Sequence, residues 1–302
     1  MEQQEVKMID KYTGFFDFRT KIGLIIGKEN DAILIDTGLD ENIGRKILKV
    51  LEIRKYSLKY IVFTHSHADH YGGGAFLKKK TDAITLAPKI EASIIENPII
   101  EALEFSKAAI PLKEVLNKFI CGEACKVDRI IEWDENVKLS DFDVKFIGLP
   151  GHSVNHFGVL ADETFFIGDA VFQKDTLEKY KIAYLHDPLQ TLESLKKIKN
   201  FKALTYLTYH GGTYSQNEIN NLIDYNIESI NSLLKLVFNN SDNANFYNIF
   251  EKTLDTLQIN LKDLTEYYLI YSTIRAYVNN LVNIGKIKAV LEGRIEKFYH
   301  KS

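Results

Sequence analysis

Cysteine and tryptophan are nearly missing from this 302-residue sequence, with two residues and one. The cysteines, Cys121 and Cys125, cannot build a disulfide scaffold. Stability must come from a buried core, and a chain of this length has room for one. No stretch of about 18 apolar residues occurs, which argues against a membrane-spanning helix. The opening MEQQEVKMIDKY has no apolar run of the kind a secretory leader needs, so a cytoplasmic protein is expected. A surplus of one charge is lacking too. Lys and Arg number 38 against 41 Asp and Glu, a formal charge of -3, which excludes a broadly basic nucleic-acid coat. Proline is confined to Pro88, Pro98, Pro111, Pro150 and Pro188. The proline-free remainder reads as mostly helical, so a change of architecture is expected late in the chain.

Up to about residue 210 the pattern alternates short apolar runs with segments of helical spacing. Ile22–Gly27 and Ala32–Asp36 read as a hairpin, Asn42–Tyr56 as a helix, and Tyr60–Thr64 as a buried strand. Val144–Leu149, Phe157–Leu160, Thr164–Ile167 and Leu204–Tyr209 read as further strands. Ile90–Arg129 reads as a helical stretch interrupted by prolines, and its Phe105–Phe119 portion is a candidate pocket wall. Such alternation predicts layered sheets with helices outside. After Ser215 comes one long amphipathic helix, then a polar linker at residues 239–243. Helices over Phe246–Gln258, Leu261–Tyr267 and Ser272–Ile284 follow, and a hairpin turning at Glu292-Gly293. The expected division is 1–238 and 239–302, the second part having the helix–helix–hairpin order of a winged helix.

The strand at Tyr60–Thr64 runs into His65-Ser66-His67-Ala68-Asp69-His70. Two histidines two residues apart project to one side of an extended segment, and the following Asp and His then enter a turn. One loop can therefore supply ligands to two metal ions. Further candidates end other strands: Asp36, His152, Asp169 and His210, each with a glycine close by that lets the backbone turn. Imidazole suits zinc, manganese and iron, and a carboxylate can bridge two ions.

This ordered set resembles the motifs of the metallo-β-lactamase superfamily over roughly residues 15–215. The resemblance implies an α/β fold, a four-layer αββα sandwich with a dinuclear site at one edge. It implies that His65, His67 and His152 hold one divalent metal ion and that Asp69, His70 and His210 hold the other. Asp169 would bridge them, and Asp36 would orient the histidine loop. Zinc is the first choice of metal, with manganese or iron as alternatives. Two ions ~3.5–4 Å apart can share a water and lower its pKa to about 7, and the bridging hydroxide would attack a carbonyl or phosphorus. Asp69 would orient that nucleophile and pass on its proton.

The bridging aspartate and the absence of an export signal make the chain look more like glyoxalase II, lactonases and the RNA-cleaving branches than like exported β-lactamases. Gly151-His152-Ser153-Val154-Asn155-His156 is similar to a G-H-T-P-G-H signature of those groups, with His156 beside the ligands rather than among them. Thr273–Val278 through Gly285-Lys286-Ile287 is similar to the winged-helix end of lactamase-β-like proteins. The expected activity is hydrolysis of a small ester, thioester or lactone. A phosphodiesterase or ribonuclease, and a mononuclear iron dioxygenase of the persulfide type, are the alternatives.

Tyr71, Tyr206 and Tyr209 adjoin the motif residues, and His186 precedes a helix start, so these four are candidate substrate contacts. His300 reads as a surface tail residue. Core or loop packing is expected for the two cysteines. The expected partner is a small molecule. Nucleic acid and a homodimer are weaker expectations, and no membrane partner is expected.

Overall fold

The computed structural model describes residues 6–301, so residues 1–5 of the N-terminal stretch read above lie outside the description. The chain runs in order through β1 (Val6–Met8), β2 (Thr13–Asp17), β3 (Lys21–Ile26), β4 (Asp31–Ile35), α1 (Glu41–Arg54) and β5 (Ser57–Val62). It continues with α2 (Ala68–Tyr71), α3 (Gly74–Thr81), β6 (Ile84–Pro88), α4 (Lys89–Glu96), α5 (Ile99–Phe105) and β7 (Arg129–Ile131). The second half holds β8 (Asn136–Leu139), β9 (Phe142–Gly148), β10 (Phe157–Ala161), β11 (Thr164–Phe166), α6 (Lys174–Tyr180) and α7 (Pro188–Asn200). Then come β12 (Thr205–Leu207), β13 (Thr213–Tyr214) and α8 (Gln216–Asn239). The chain closes with β14 (Ala244–Asn245), α9 (Phe246–Leu257), α10 (Leu264–Asn283), β15 (Ile287–Glu292) and β16 (Ile295–His300).

Strands β1 to β7 form one sheet in sequence order, antiparallel as far as β4 and parallel beyond it. The second sheet has the order β13-β12-β11-β10-β9-β8. Three apolar clusters show how these sheets are layered. Ile33, Ile35 and Val62 meet Phe146, Val159 and Phe166 between the two sheets. The alternate residues Leu34 and Ile61 face outward against Ile47 and Leu51 of α1 and Phe76 and Leu77 of α3. On the other side Ile147 and Phe165 pack against Leu195 of α7 and Ile223 of α8. Period-two alternation with both faces buried gives the four-layer αββα sandwich. No helix among the described residues is long and apolar enough to cross a membrane.

The C-terminal helices share the third cluster: Phe250, Ile274 and Tyr277 lie in one core with Leu233 of α8. Strands β14, β16 and β15 make a small third sheet beside them. His300 is not a free tail residue. Its ring stacks on Phe238 at 4.0 Å, and its Nε2 lies 2.8 Å from the Phe238 carbonyl.

Two helical expectations need correction. Residues 106–128 contain no helix. Lys107 and Ala108 both adopt left-handed φ (55° and 60°), which stops α5 and turns the chain. Val115 and Ile120 then pack on Ala102 and Phe105 as a satellite core, joined by isolated turns rather than a continuous helix. Cys121 and Cys125 lie in this segment as free thiols. The two helices expected between Leu261 and Ile284 are one. Asp263 caps its start by accepting from Glu266 N at 2.8 Å, and no glycine or proline interrupts it before Gly285 (φ 74°).

Candidate metal centre

Five strand ends meet at one edge of the sandwich. Asp36 follows β4, the loop 64–70 follows β5, His152 follows β9, Asp169 follows β11 and His210 follows β12. Asp36 is buried in a left-handed conformation (φ 66°) and holds two parts of the histidine loop. Its carboxylate accepts from Thr64 N at 2.8 Å, and His70 Nδ1 lies 2.8 Å from it. The loop then passes through Gly72 against the α1 connection. A Cβ there would lie 1.9 Å from the Leu39 carbonyl oxygen, so only glycine fits.

His65 Nε2 and His152 Nε2 lie 3.0 and 2.9 Å from His67 Nδ1. Proton bookkeeping shows what that convergence needs. His152 Nδ1 lies 3.1 Å from the Tyr184 carbonyl, which can only accept, so Nδ1 carries the proton and Nε2 is bare. Thr64 Oγ1 spends its one proton on Asp36, so His65 Nδ1, 3.0 Å away, must donate to it, and its Nε2 is bare too. His67 has at most one Nδ1 proton for two facing lone pairs. A divalent cation satisfies all three nitrogens at once.

The second half of the cluster has the same character. Bonding to Asp36 turns His70 Nε2 inward, where it is buried without a hydrogen-bond partner, 3.4 Å from Asp169 Oδ2. His210 Nε2 sits 3.3 Å from Asp69 Oδ2 and 3.2 Å from Asp169 Oδ2. Asp169 Oδ2 is also 3.7 Å from His152 Nε2, so one carboxylate oxygen stands between the two groups of ligands. Three overlapping sets are spaced to hold an ion: His65/His67/His152, His65/His70/Asp169 and Asp69/His70/His210.

Burial, with repulsion from neighbouring rings, holds the His65 and His67 imidazoles well below their ordinary pKa. Burial alone would lower His70 too, but the carboxylates of Asp36, Asp169 and Asp69 outweigh it and raise that ring well above its ordinary value. Asp169, against the opposing effect of burial, pushes His210 up to about 10. The first half therefore presents neutral rings with free lone pairs, while in the second half the acids call for positive charge, which a metal ion would supply in place of the ring protons.

The other expected site residues divide. His156 lies behind the ligands, its Nδ1 3.2 Å from the Leu149 carbonyl and its ring 5.0 Å from that of His65. Tyr209 stacks on His70 at 3.7 Å, and its hydroxyl donates to the Asp69 carbonyl, so it supports the loop from beneath. Tyr71 and Tyr206 are not brought to the cluster. The Tyr71 hydroxyl accepts from Gly122 N at 3.0 Å, and that of Tyr206 lies 2.7 Å from both Phe201 O and Gln216 Oε1, with one proton to share between them, both rings being buried. His186 stands one residue layer out, its Nε2 2.9 Å from the Tyr184 hydroxyl.

Three acids escape a reading by motif. Glu91 on α4 is buried and clamps both ligand loops. Its carboxylate accepts from Ser66 N (3.0 Å), Ser66 Oγ (2.6 Å), Ser153 Oγ (2.8 Å) and Asn155 N (2.7 Å). In sequence it is one ordinary acid in the first turn of a helix; only the tertiary fold brings it these donors. Glu91→Ala leaves two buried amides unpaired. The expected losses are about 2–4 kcal/mol of stability and about 10–100-fold in metal affinity, checked by thermal melting and metal titration. Glu101 Oε1 lies 3.8 Å from His67 Nε2, and burial, with Glu104 and Glu91 nearby, pushes its carboxyl well above the usual range. Glu104 sits 4.0 Å from His186 Nε2.

A family model describing the metallo-beta-lactamase superfamily matches residues 18–210, the span from β2 to the last histidine of the cluster. The chain belongs to the metallo-beta-lactamase superfamily. Within it the chain is a hydrolase with a divalent-metal centre. It is 26% identical over 245 residues to a hydroxyacylglutathione hydrolase from Pelagibacter ubique, covering 80% of this chain and 84% of that one. Hydroxyacylglutathione hydrolase 1 of Vibrio vulnificus is 27% identical over 237 residues, 77% and 74% of the two chains. A beta-lactamase-like protein 2 homolog of Drosophila melanogaster is 26% identical over 210 residues, 64% and 59% of the two chains. Among solved structures, a beta-lactamase domain protein from Burkholderia ambifaria superposes with a TM-score of 0.77 at 14% identity, covering 99% of this chain and 95% of that one. That likeness extends the shared fold through the C-terminal helices.

Proposed function

We propose that this superfamily member is a dinuclear zinc hydrolase of a small ester, thioester or lactone. The observation that carries the proposal is that His65 Nε2 and His152 Nε2 each lie within 3.0 Å of His67 Nδ1, with at least two bare lone pairs among them. In this reading those three rings would hold one ion, Asp69, His70 and His210 would hold the second, and Asp169 stands where it could serve both. Two such ions, when bound, polarise the scissile carbonyl and make a water acidic enough to be a nucleophile near neutral pH. Asp36 fixes the direction of His70, and the Tyr184 carbonyl fixes the tautomer of His152. Asp69, its carboxyl lowered by His70 and His210 against the opposing effect of burial, is a carboxylate near neutral pH. It would orient the attacking water, take its proton and return it to the leaving group.

The two hydroxyacylglutathione hydrolases, matched over about three-quarters of this chain or more, favour the thioester among these substrates. Residues 1–238 carry the metal centre in this reading, and residues 239–302 shape the space beside it. The test is a screen of the zinc-loaded protein against thioesters, lactones, simple esters, a bis-phosphodiester and single-stranded RNA. Turnover of carbonyl substrates is the expected result, and turnover confined to phosphodiesters would overturn the assignment.

A further inference from the structure

Beside the first histidine triad lies a cavity of about 600 Å³ to which none of the seven ligands contributes. Much of its wall is apolar: Phe119, Phe172, Leu177, Ile182, Leu269 and Ile270. Its charged residues, Lys262, Asp263 and Glu266, cluster around the start of α10, and Lys262 pairs with Glu266 at 3.8 Å.

Two aromatic rings, Phe172 and Tyr184, line this cavity and also adjoin the metal centre. Phe172 lies edge-on to His152 at 5.5 Å, and Tyr184 lies 5.4 Å from His67. Both are held in place. The buried Asn226 accepts from Phe172 N at 2.9 Å and donates to Phe172 O at 2.8 Å. Tyr184 is tied through its carbonyl to His152 and through its hydroxyl to His186. The apolar space therefore reaches within one ring of the triad. A second cavity of about 640 Å³, which Tyr184 also lines, has a mixed lining whose polar groups include Glu104, Lys107, His186, Arg275 and Asn279. A substrate seated on the triad has both hydrocarbon space and hydrogen-bonding space nearby.

We infer that the apolar cavity receives a hydrocarbon arm of the substrate, so that the substrate class is an ester or thioester carrying a medium-length alkyl or aryl group next to the scissile bond. The inference rests on the hydrolase reading for its chemistry and on the cavity for its selectivity. A space of this size lies within the range of sites that enclose a small ligand. Its apolar wall rewards each methylene removed from water. At about 0.8 kcal/mol per buried methylene and about 1.4 kcal/mol per tenfold, kcat/KM should rise about fourfold per carbon until the cavity is full.

Two kinetic series and one binding measurement test it. The acyl series (acetyl, butanoyl, hexanoyl, octanoyl, decanoyl) keeps one thiol, and the leaving-group series keeps one acyl group while the thiol lengthens. Binding is followed by displacement of anilinonaphthalene sulfonate by decanoate, which needs no turnover. A rise along the acyl series places the arm on the acyl side, and a rise along the other places it on the leaving group; either supports the inference. Ala183→Trp, which fills the cavity, and Leu269→Glu, which puts a charge in its wall, should each flatten the rising series and weaken decanoate binding at least tenfold. A rise that both folded variants leave unaltered would overturn the assignment to this cavity. Hydrolysis of short thioesters with no rise in either series and no decanoate binding overturns it too, while leaving the hydrolase reading intact. Decanoate binding that Leu269→Glu abolishes, in a protein that hydrolyses nothing, keeps the apolar site and overturns the hydrolase reading instead.

Discussion

Asp169→Ala is expected to lower kcat/KM for a thioester on the order of 10³-fold or more and to reduce bound metal from two ions to one or none. The magnitude follows from where Oδ2 stands. It is 3.4, 3.7 and 3.2 Å from the inward nitrogens of His70, His152 and His210, so one substitution removes the shared acid of both halves. The rings it balances would then lose a counter-charge as well as a ligand. His67→Ala should give a loss of the same order, because His65 and His152 would be left facing one another around a void. Metal analysis with steady-state kinetics on both variants provides the check. Normal turnover in either would sink the ligand assignment.

The second large effect is on stability. Stripping the metal with a chelator should lower Tm by roughly 10 °C, and zinc should restore it. On the proposed reading the native protein binds the ions, whereas the unfolded chain holds no preformed site. Ligand at about 1,000 times Kd therefore adds about 4 kcal/mol, which for a chain of this size moves Tm a few degrees per kcal/mol. Removing the ions would leave bare imidazole lone pairs at contact distance and His70 Nε2 buried without a partner. Calorimetry with and without chelator measures the shift. A Tm unmoved by chelation and by added zinc would mean that no ion occupies the cluster.

How far the sequence disclosed this site depends on the kind of residue. The candidate ligands were legible because each follows a strand in a short polar motif beside a glycine, and because four of them fall within His65–His70. Strand alternation disclosed the layers for a similar local reason: Ile33 and Ile35 face one side, Leu34 the other. Glu91, Glu101, Phe172 and Tyr184 were illegible because their roles arise only when distant segments meet. Glu91 finds its donors 25 and 62–64 residues away, and nothing local marks it. The tyrosines failed in the opposite way. Nearness in sequence to a motif residue suggests Tyr71 and Tyr206 as substrate contacts, while packing turns both rings into the core. Residues 106–128 misled because apolar spacing suggests a helix, but two left-handed residues and a satellite core set the path.

The most direct test of the central claim is a titration of the metal-free protein with zinc, followed simultaneously by bound metal and by thioester hydrolysis. The account predicts that activity climbs until two ions are bound per chain, and that Asp69→Ala stops binding at one ion with turnover reduced by about 10²-fold or more. Full activity at one ion, unaltered by Asp69→Ala, or hydrolysis that proceeds without metal, would contradict it.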